Sequence, residues 1–116
     1  MKIENYCTVS GHEPVKEFIS FLPEETRNEV FTLLKRLENN EILPMPQCRS
    51  LSSIASGLYE LRIRDEQGQV RIFYYTKVRD CIFLVHALRK KSRTIQDKDR
   101  RLIIKRLKEL RLIERG

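Results

Sequence analysis

The sequence predicts an α+β fold: a small antiparallel sheet with two N-terminal helices packed on one face and a C-terminal helix, in the order β-α-α-β-β-β-α. Three observations lead there. Two apolar stripes at helical spacing follow one another near the N-terminus. Three strand-like runs then crowd between Leu58 and Leu88 with short links, as in an antiparallel meander. A last stripe of Ile103, Leu107 and Leu110 gives the closing helix its buried side.

Each element has its own signal. Ile3, Cys7 and Val9 suggest a short first strand within Lys2 to Ser10. Pro14 suits a first helical turn, where its missing N–H costs little, and Val15, Phe18, Ile19 and Leu22 follow at i, i+3, i+4 and i+7. Pro23 opens the second helix, Glu24 and Glu25 favour its positive end, and Val30, Leu33, Leu34 and Leu37 form its stripe up to a stop at Asn39-Asn40. Pro44-Met45-Pro46 forbids helix, so Glu41 to Ser56 reads as a connecting loop. Strands are expected over about Leu58 to Asp65, Gln69 to Thr76 and Cys81 to Leu88, and the last helix over about Asp97 to Leu112 with Asp97 as its N-cap.

The chain's 116 residues, 41% of them hydrophobic, suit one domain over 1–116 with one core. No apolar run approaches the roughly 20 residues of a membrane span, and the first residues lack the apolar stretch of a secretory signal. Cys7, Cys48 and Cys81 are odd in number and widely spaced, which argues against a disulfide framework or a zinc site and for a reducing cytoplasm. No metal or other cofactor is expected. The net charge of +7 is divided unevenly: residues 1–56 carry −2, and residues 57–116 carry +9. A basic half of this kind fits a polyanionic partner, with nucleic acid the leading candidate.

The strand pattern places that charge. With Gln67-Gly68 as a two-residue turn, Ile63 faces Ile72 and Leu61 faces Tyr74 on the core side, while Arg64 faces Arg71 and Arg62 faces Phe73 on the other. With Thr76 opposite Cys81, Arg71 opposes His86, Phe73 opposes Leu84, and Phe83 and Val85 join the core side. The second face then collects Arg62, Arg64, Arg71, Phe73, Tyr75 and His86, and LRKKSRT adds Arg89, Lys90, Lys91 and Arg93 beyond its edge. Two arginines opposite one another repel, so a purely structural sheet would rarely place them so. Aromatic rings beside guanidinium forks suit stacked bases and gripped phosphates. In the structural alternative Glu60 pairs with Arg62 or with a helix residue, and the last helix covers Phe73 and Tyr75.

These residues carry a family resemblance. EPVKEFISFLPEETRNEVFTLLKRLE, GLYELRIRDEQGQVRIFYY and CIFLVHALRKKSRT together resemble the HigB-type, phage Gp49-like branch of the RelE/ParE toxin superfamily, over about residues 3–112. The resemblance implies a RelE-like fold and the toxin of a type II toxin–antitoxin pair, with a helix-turn-helix antitoxin as partner, through which the complex would bind operator DNA. It further implies metal-free cleavage of mRNA on the translating 70S ribosome, by attack of a 2′-OH on its own 3′-phosphate. By the same resemblance Arg71 matches the arginine after the hairpin turn that holds the scissile phosphate, and Arg62 and Arg64 match basic positions on the preceding strand. Lys90 and Lys91 match the paired lysines of the last motif, and His86 matches its histidine. The expected catalytic set is therefore Arg71, Arg62, Lys90, Lys91 and His86, with Arg64, Phe73, Tyr75, Arg89 and Arg93 contacting RNA. The sequence departs from the superfamily in having no Tyr or Trp after Tyr75 and in having Val70 where an aromatic often precedes the arginine. Two other readings stand beside this one: a ParE-like toxin that binds DNA gyrase without cleaving, and an inactive remnant that binds RNA or antitoxin. The basic outer side of the last helix, Lys98, Arg101, Lys105 and Lys108, would suit an acidic antitoxin segment.

Overall fold

The computed structural model describes residues 1–90 and 94–115, with side chains through residue 110. Two of the expected site residues, Lys91 and Arg93, lie outside the described residues. The elements are β1 (Lys2–Asn5), α1 (Pro14–Ser20), α2 (Glu24–Glu38), β2 (Cys48–Ser50), β3 (Leu58–Asp65), β4 (Gly68–Tyr75), β5 (Cys81–Lys90) and α3 (Asp97–Arg115). The strands form one five-stranded mixed sheet in the order β1-β5-β4-β3-β2. The α+β class holds, with two refinements. β1 runs parallel to β5, and the stretch read as a loop contains the short strand β2, antiparallel to β3. Three residues after a proline pair are too few for any periodicity to reveal a strand.

The sheet is covered on both sides. Along one face α1 and α2 pack Val15, Ile19, Val30, Leu33 and Leu37 against Leu61, Ile63, Val70, Ile72 and Leu84. On the other face α3 lays Ile103, Leu107 and Leu110 over Leu58, Phe73, Tyr75 and Val85. β4 is central and covered twice, so every residue from Val70 to Tyr75 is buried. The two helical stripes and the stripe of α3 sit where the sequence places them. Gln96, not Asp97, takes the cap position of α3, its carbonyl accepting the amide of Arg100.

The hairpin register is two residues from the expected one. Asp65 pairs with Gly68, Arg64 with Gln69, Arg62 with Arg71 and Leu61 with Ile72, so the turn is Glu66-Gln67. Asp65 explains this: its Oδ1 accepts the Gln67 amide at 2.9 Å, closing the turn one residue early, and Gly68 follows at φ 124°. A shift of two leaves every side chain on its expected face. The β4–β5 ladder changes more. A bulge inserts Val85 between the pairs Tyr74–Leu84 and Phe73–His86, and beyond it Arg71 pairs with Leu88 rather than His86. The expected core pair Phe83 and Val85 therefore packs under α3, and Leu84 joins the α1/α2 side instead. In the nearly continuous apolar run from Ile82 to Leu88 no alternation marks the extra residue.

Asp65 also ties three elements together. Its carboxylate accepts Thr26 Oγ1 of α2 at 2.8 Å and Arg89 Nη2 of β5 at 2.9 Å, and its other oxygen pairs with Arg89 Nη1. The Arg89 guanidinium beside it, helped by the Thr26 and Gln67 hydrogen bonds against the opposing effect of burial, holds the Asp65 carboxyl at about 2. The folded value lies below the unfolded one of about 3.9, so the stabilisation is complete above about pH 4 and is lost as pH falls toward 2. In denaturant titrations across that window, Arg89→Ala should cost about 1–2 kcal/mol at neutral pH and flatten the acid limb. Phe73→Ala should cost about 3–5 kcal/mol by the same measurement, as removal of a core ring does; an exposed stacking residue would leave the midpoint unchanged.

Candidate functional site

α3 covers the second face over Leu58, Phe73, Tyr75 and Val85, with Asp99 of its first turn on His86. Past them, toward the β3–β4 turn, lies an open groove of about 770 Å³ lined by Arg49 of β2, Arg62 and Arg64 of β3, Gln69 and Arg71 of β4, and Lys90 at the end of β5. Asp65 and Glu66 complete the rim, so five cationic side chains face two carboxylates. They converge for a simple reason. Arg62 and Arg64 share a face by the two-residue period of β3, Arg71 is the cross-strand partner of Arg62, and Lys90 is the partner of Gln69. Arg49 enters because β2 pairs it with Glu60.

The floor is an ion cluster. Glu60 is 1% exposed, and its Oε1 accepts Arg62 Nε at 2.5 Å, one of the two pairings the structural alternative allowed. Its Oε2 lies 3.6 Å from Arg71 Nη1. Arg71 is itself 2% exposed and donates from Nε to Gln69 Oε1 at 2.9 Å. At the neighbouring wall Lys90 Nζ donates to the Thr94 carbonyl at 2.8 Å and stands 3.7 Å from Asp99 Oδ2.

Asp99, in the first turn of α3, also holds His86. Its Oδ1 is 2.9 Å from His86 Nε2, and Arg106 Nη1 is 3.3 Å from His86 Nδ1. Arginine can only donate, so Nδ1 accepts and the Nε2–H is given to Asp99. The ring stacks on Phe73 with centroids 5.8 Å apart. Burial pushes the His86 pKa down, with Arg106 and Lys90 adding to the effect and Asp99 opposing it.

The groove thus brings together Arg62, Arg64, Arg71 and Lys90 from the expected set. Others are placed elsewhere. Phe73 and Tyr75, expected to stack on RNA, are core residues under α3, 0% and 5% exposed. Arg89 points to the α2 side, where Asp65 engages its guanidinium. His86 lies beneath the first turns of α3 and does not line the groove. Arg49 went unforeseen because its strand was read as loop, and Gln69 because a single amide carries no pattern. Among the described residues no group of three or more His, Cys, Asp and Glu is placed to hold a metal ion, and no helix is long and apolar enough to cross a membrane.

Fold and groove together define a class: a small RelE-like α+β protein with a cationic cleft at the open end of its meander. The family model of the phage-derived Gp49-like proteins (DUF891), a RelE/HigB-like toxin family, matches residues 17–108, and the chain belongs to that family. The match runs from within α1 through the whole meander and into α3. No curated protein matches the chain.

His86 supplies a check on this geometry. Its folded pKa lies below the unfolded value of about 6.5, so its environment contributes stability that is complete above that pH and declines as pH falls. An NMR titration should give a midpoint below that of a free histidine, and Asp99→Asn should lower it further by removing the group that favours the charged ring.

Proposed function

We propose that the protein is the toxin of a type II toxin–antitoxin pair and that it cleaves mRNA on the translating ribosome, in the cytoplasm, with the basic groove as its RNA site. Family membership points to the toxin class and to an antitoxin partner. The observation that supports the finer reading is the convergence of Arg49, Arg62, Arg64, Arg71 and Lys90 on one open groove of about 770 Å³. In the proposed reaction the 2′-oxygen forms a bond to the adjacent phosphorus in line with the departing 5′-oxygen. The P–O5′ bond breaks, leaving a cyclic phosphate and a 5′-hydroxyl, with the 2′-OH proton passing to water and the 5′-oxygen taking a proton from water. Arg71 and Arg62 neutralise the non-bridging oxygens, whose charge grows in the transition state. Lys90 adds positive potential from the β5 wall, and Arg49 and Arg64 hold the flanking phosphates. The 2′-OH confines the reaction to RNA. The antitoxin is proposed to meet the exposed basic side of α3, at Lys98, Arg101, Lys105 and Lys108.

One observation favours a second reading, a toxin that binds its target, such as gyrase, without cleaving: among the described residues no imidazole or phenol lines the groove. A single experiment separates them. Wild type and Arg71→Ala are expressed inducibly in a bacterium and mRNA 5′ ends are mapped. New 5′-hydroxyl ends within reading frames, reduced roughly 100- to 1000-fold by Arg71→Ala with antitoxin binding retained, are the expected result. Growth arrest without such ends would overturn cleavage and favour the binding toxin.

A further inference from the structure

We infer that Glu60 is the positioning residue of the groove: its buried carboxylate clamps Arg62 and Arg71 side by side as one phosphate-binding pair. This rests on the proposed function for its substrate, an RNA phosphate, though not for its geometry. Arg62 and Arg71 are direct cross-strand partners, an arrangement that repulsion makes costly. Arg71 is also 2% exposed, and a buried cation needs a paired anion. Glu60 answers both demands. It lies two residues before Arg62 on the same face and diagonal to Arg71, with Oε1 on the Arg62 Nε and Oε2 3.6 Å from Arg71 Nη1.

The clamp is incomplete in a way that suits a ligand. One carboxylate faces two guanidiniums, so within the trio the cations outnumber the anion. Glu60 Oε2 is buried and makes no hydrogen bond, since 3.6 Å is an ion-pair distance rather than a bond. Arg62 is engaged through Nε, so its outer nitrogens are left for the groove, and its side chain is 19% exposed toward it. Phe73, the strand partner of Glu60, closes the apolar side. The carboxylate therefore sits where the core ends and the groove begins, and it fixes the spacing of the two forks before any anion arrives.

The test separates positioning from mere charge balance. Glu60→Gln removes a negative charge, so simple electrostatics predicts RNA binding as tight as wild type or tighter. Positioning predicts that kcat for ribosome-bound mRNA nonetheless falls about 100-fold, the scale of a misplaced catalytic group. Glu60→Asp restores the charge without the reach. It should fail to recover kcat if Glu60 positions, and should recover it if Glu60 only balances charge. Arginine Nε–H NMR signals give a second readout. The wild-type Arg62 signal should be protected from exchange, inorganic phosphate should perturb the Arg62 and Arg71 signals together, and Glu60→Gln should uncouple these responses. Wild-type kcat in Glu60→Gln, recovery in Glu60→Asp, or an unprotected Arg62 signal in the wild type each overturns the proposal. If the wild type cleaves no RNA, the proposed function falls while the arginine signals still judge the clamp; if Glu60→Gln does not fold, the wild-type spectrum and Glu60→Asp judge it.

Discussion

The apolar contact between α3 and the second face of the sheet, in which Ile103 and Leu107 close over Phe73 and Val85, governs where polar chemistry can occur in this protein. A sheet covered on both sides has little surface left, and the central strand β4 is buried from Val70 to Tyr75, although Arg71, 2% exposed, still lines the groove. Bases cannot stack on rings that already form a core. The charged residues of the second face consequently gather at one end, by the β3–β4 turn, where Arg64 is exposed, Arg62 is half-buried and Arg71 stays buried. The groove is the remainder of the sheet after the cores are built, and its cationic character follows from which side chains the two-residue period delivers to that remainder.

Three carboxylates organise the charge around this frame, each with a different task. Asp65 saturates itself on Arg89, Thr26 and the Gln67 amide, and so fixes the turn and α2 together. Asp99 joins the first turn of α3 to His86 and Lys90, tying the cover to the wall of the groove. Glu60 is shared by two arginines and is the least satisfied of the three. The groove is basic because two of these acids are turned toward structural partners and the third is outnumbered. Net charge alone does not convey this: the basic half of the chain also includes Arg89 and Arg106, which are occupied in holding elements together.

Much of the fold is legible in the sequence because local rules suffice for it. The stripes Val30–Leu37 and Ile103–Leu110 are helical whatever they pack against, and the alternation of Leu61, Ile63, Val70 and Ile72 selects one sheet face even when the turn is misplaced. The candidate site is less legible. The resemblance leads to Arg62, Arg64, Arg71 and Lys90, and these do meet; it also leads to His86, and the basic run at the end of β5 leads to Arg89, but their partners Asp99 and Asp65 lie 13 and 24 residues away and carry no local signal.

By itself the sequence determined the class of fold, the order of its main elements, the division of side chains between the faces of the hairpin, and a basic second half suited to a polyanion. These depend on periodicity and composition, which act within a few residues. Only the tertiary structure decided which cations stay open to a ligand. That outcome turns on where α3 comes to rest, on the bulge at Val85 that moves one side chain across the sheet, and on a short strand that carries Arg49 to the groove. Each is a long-range packing result, and the exposure of a charge is a property of its neighbours in space rather than of its neighbours in the chain.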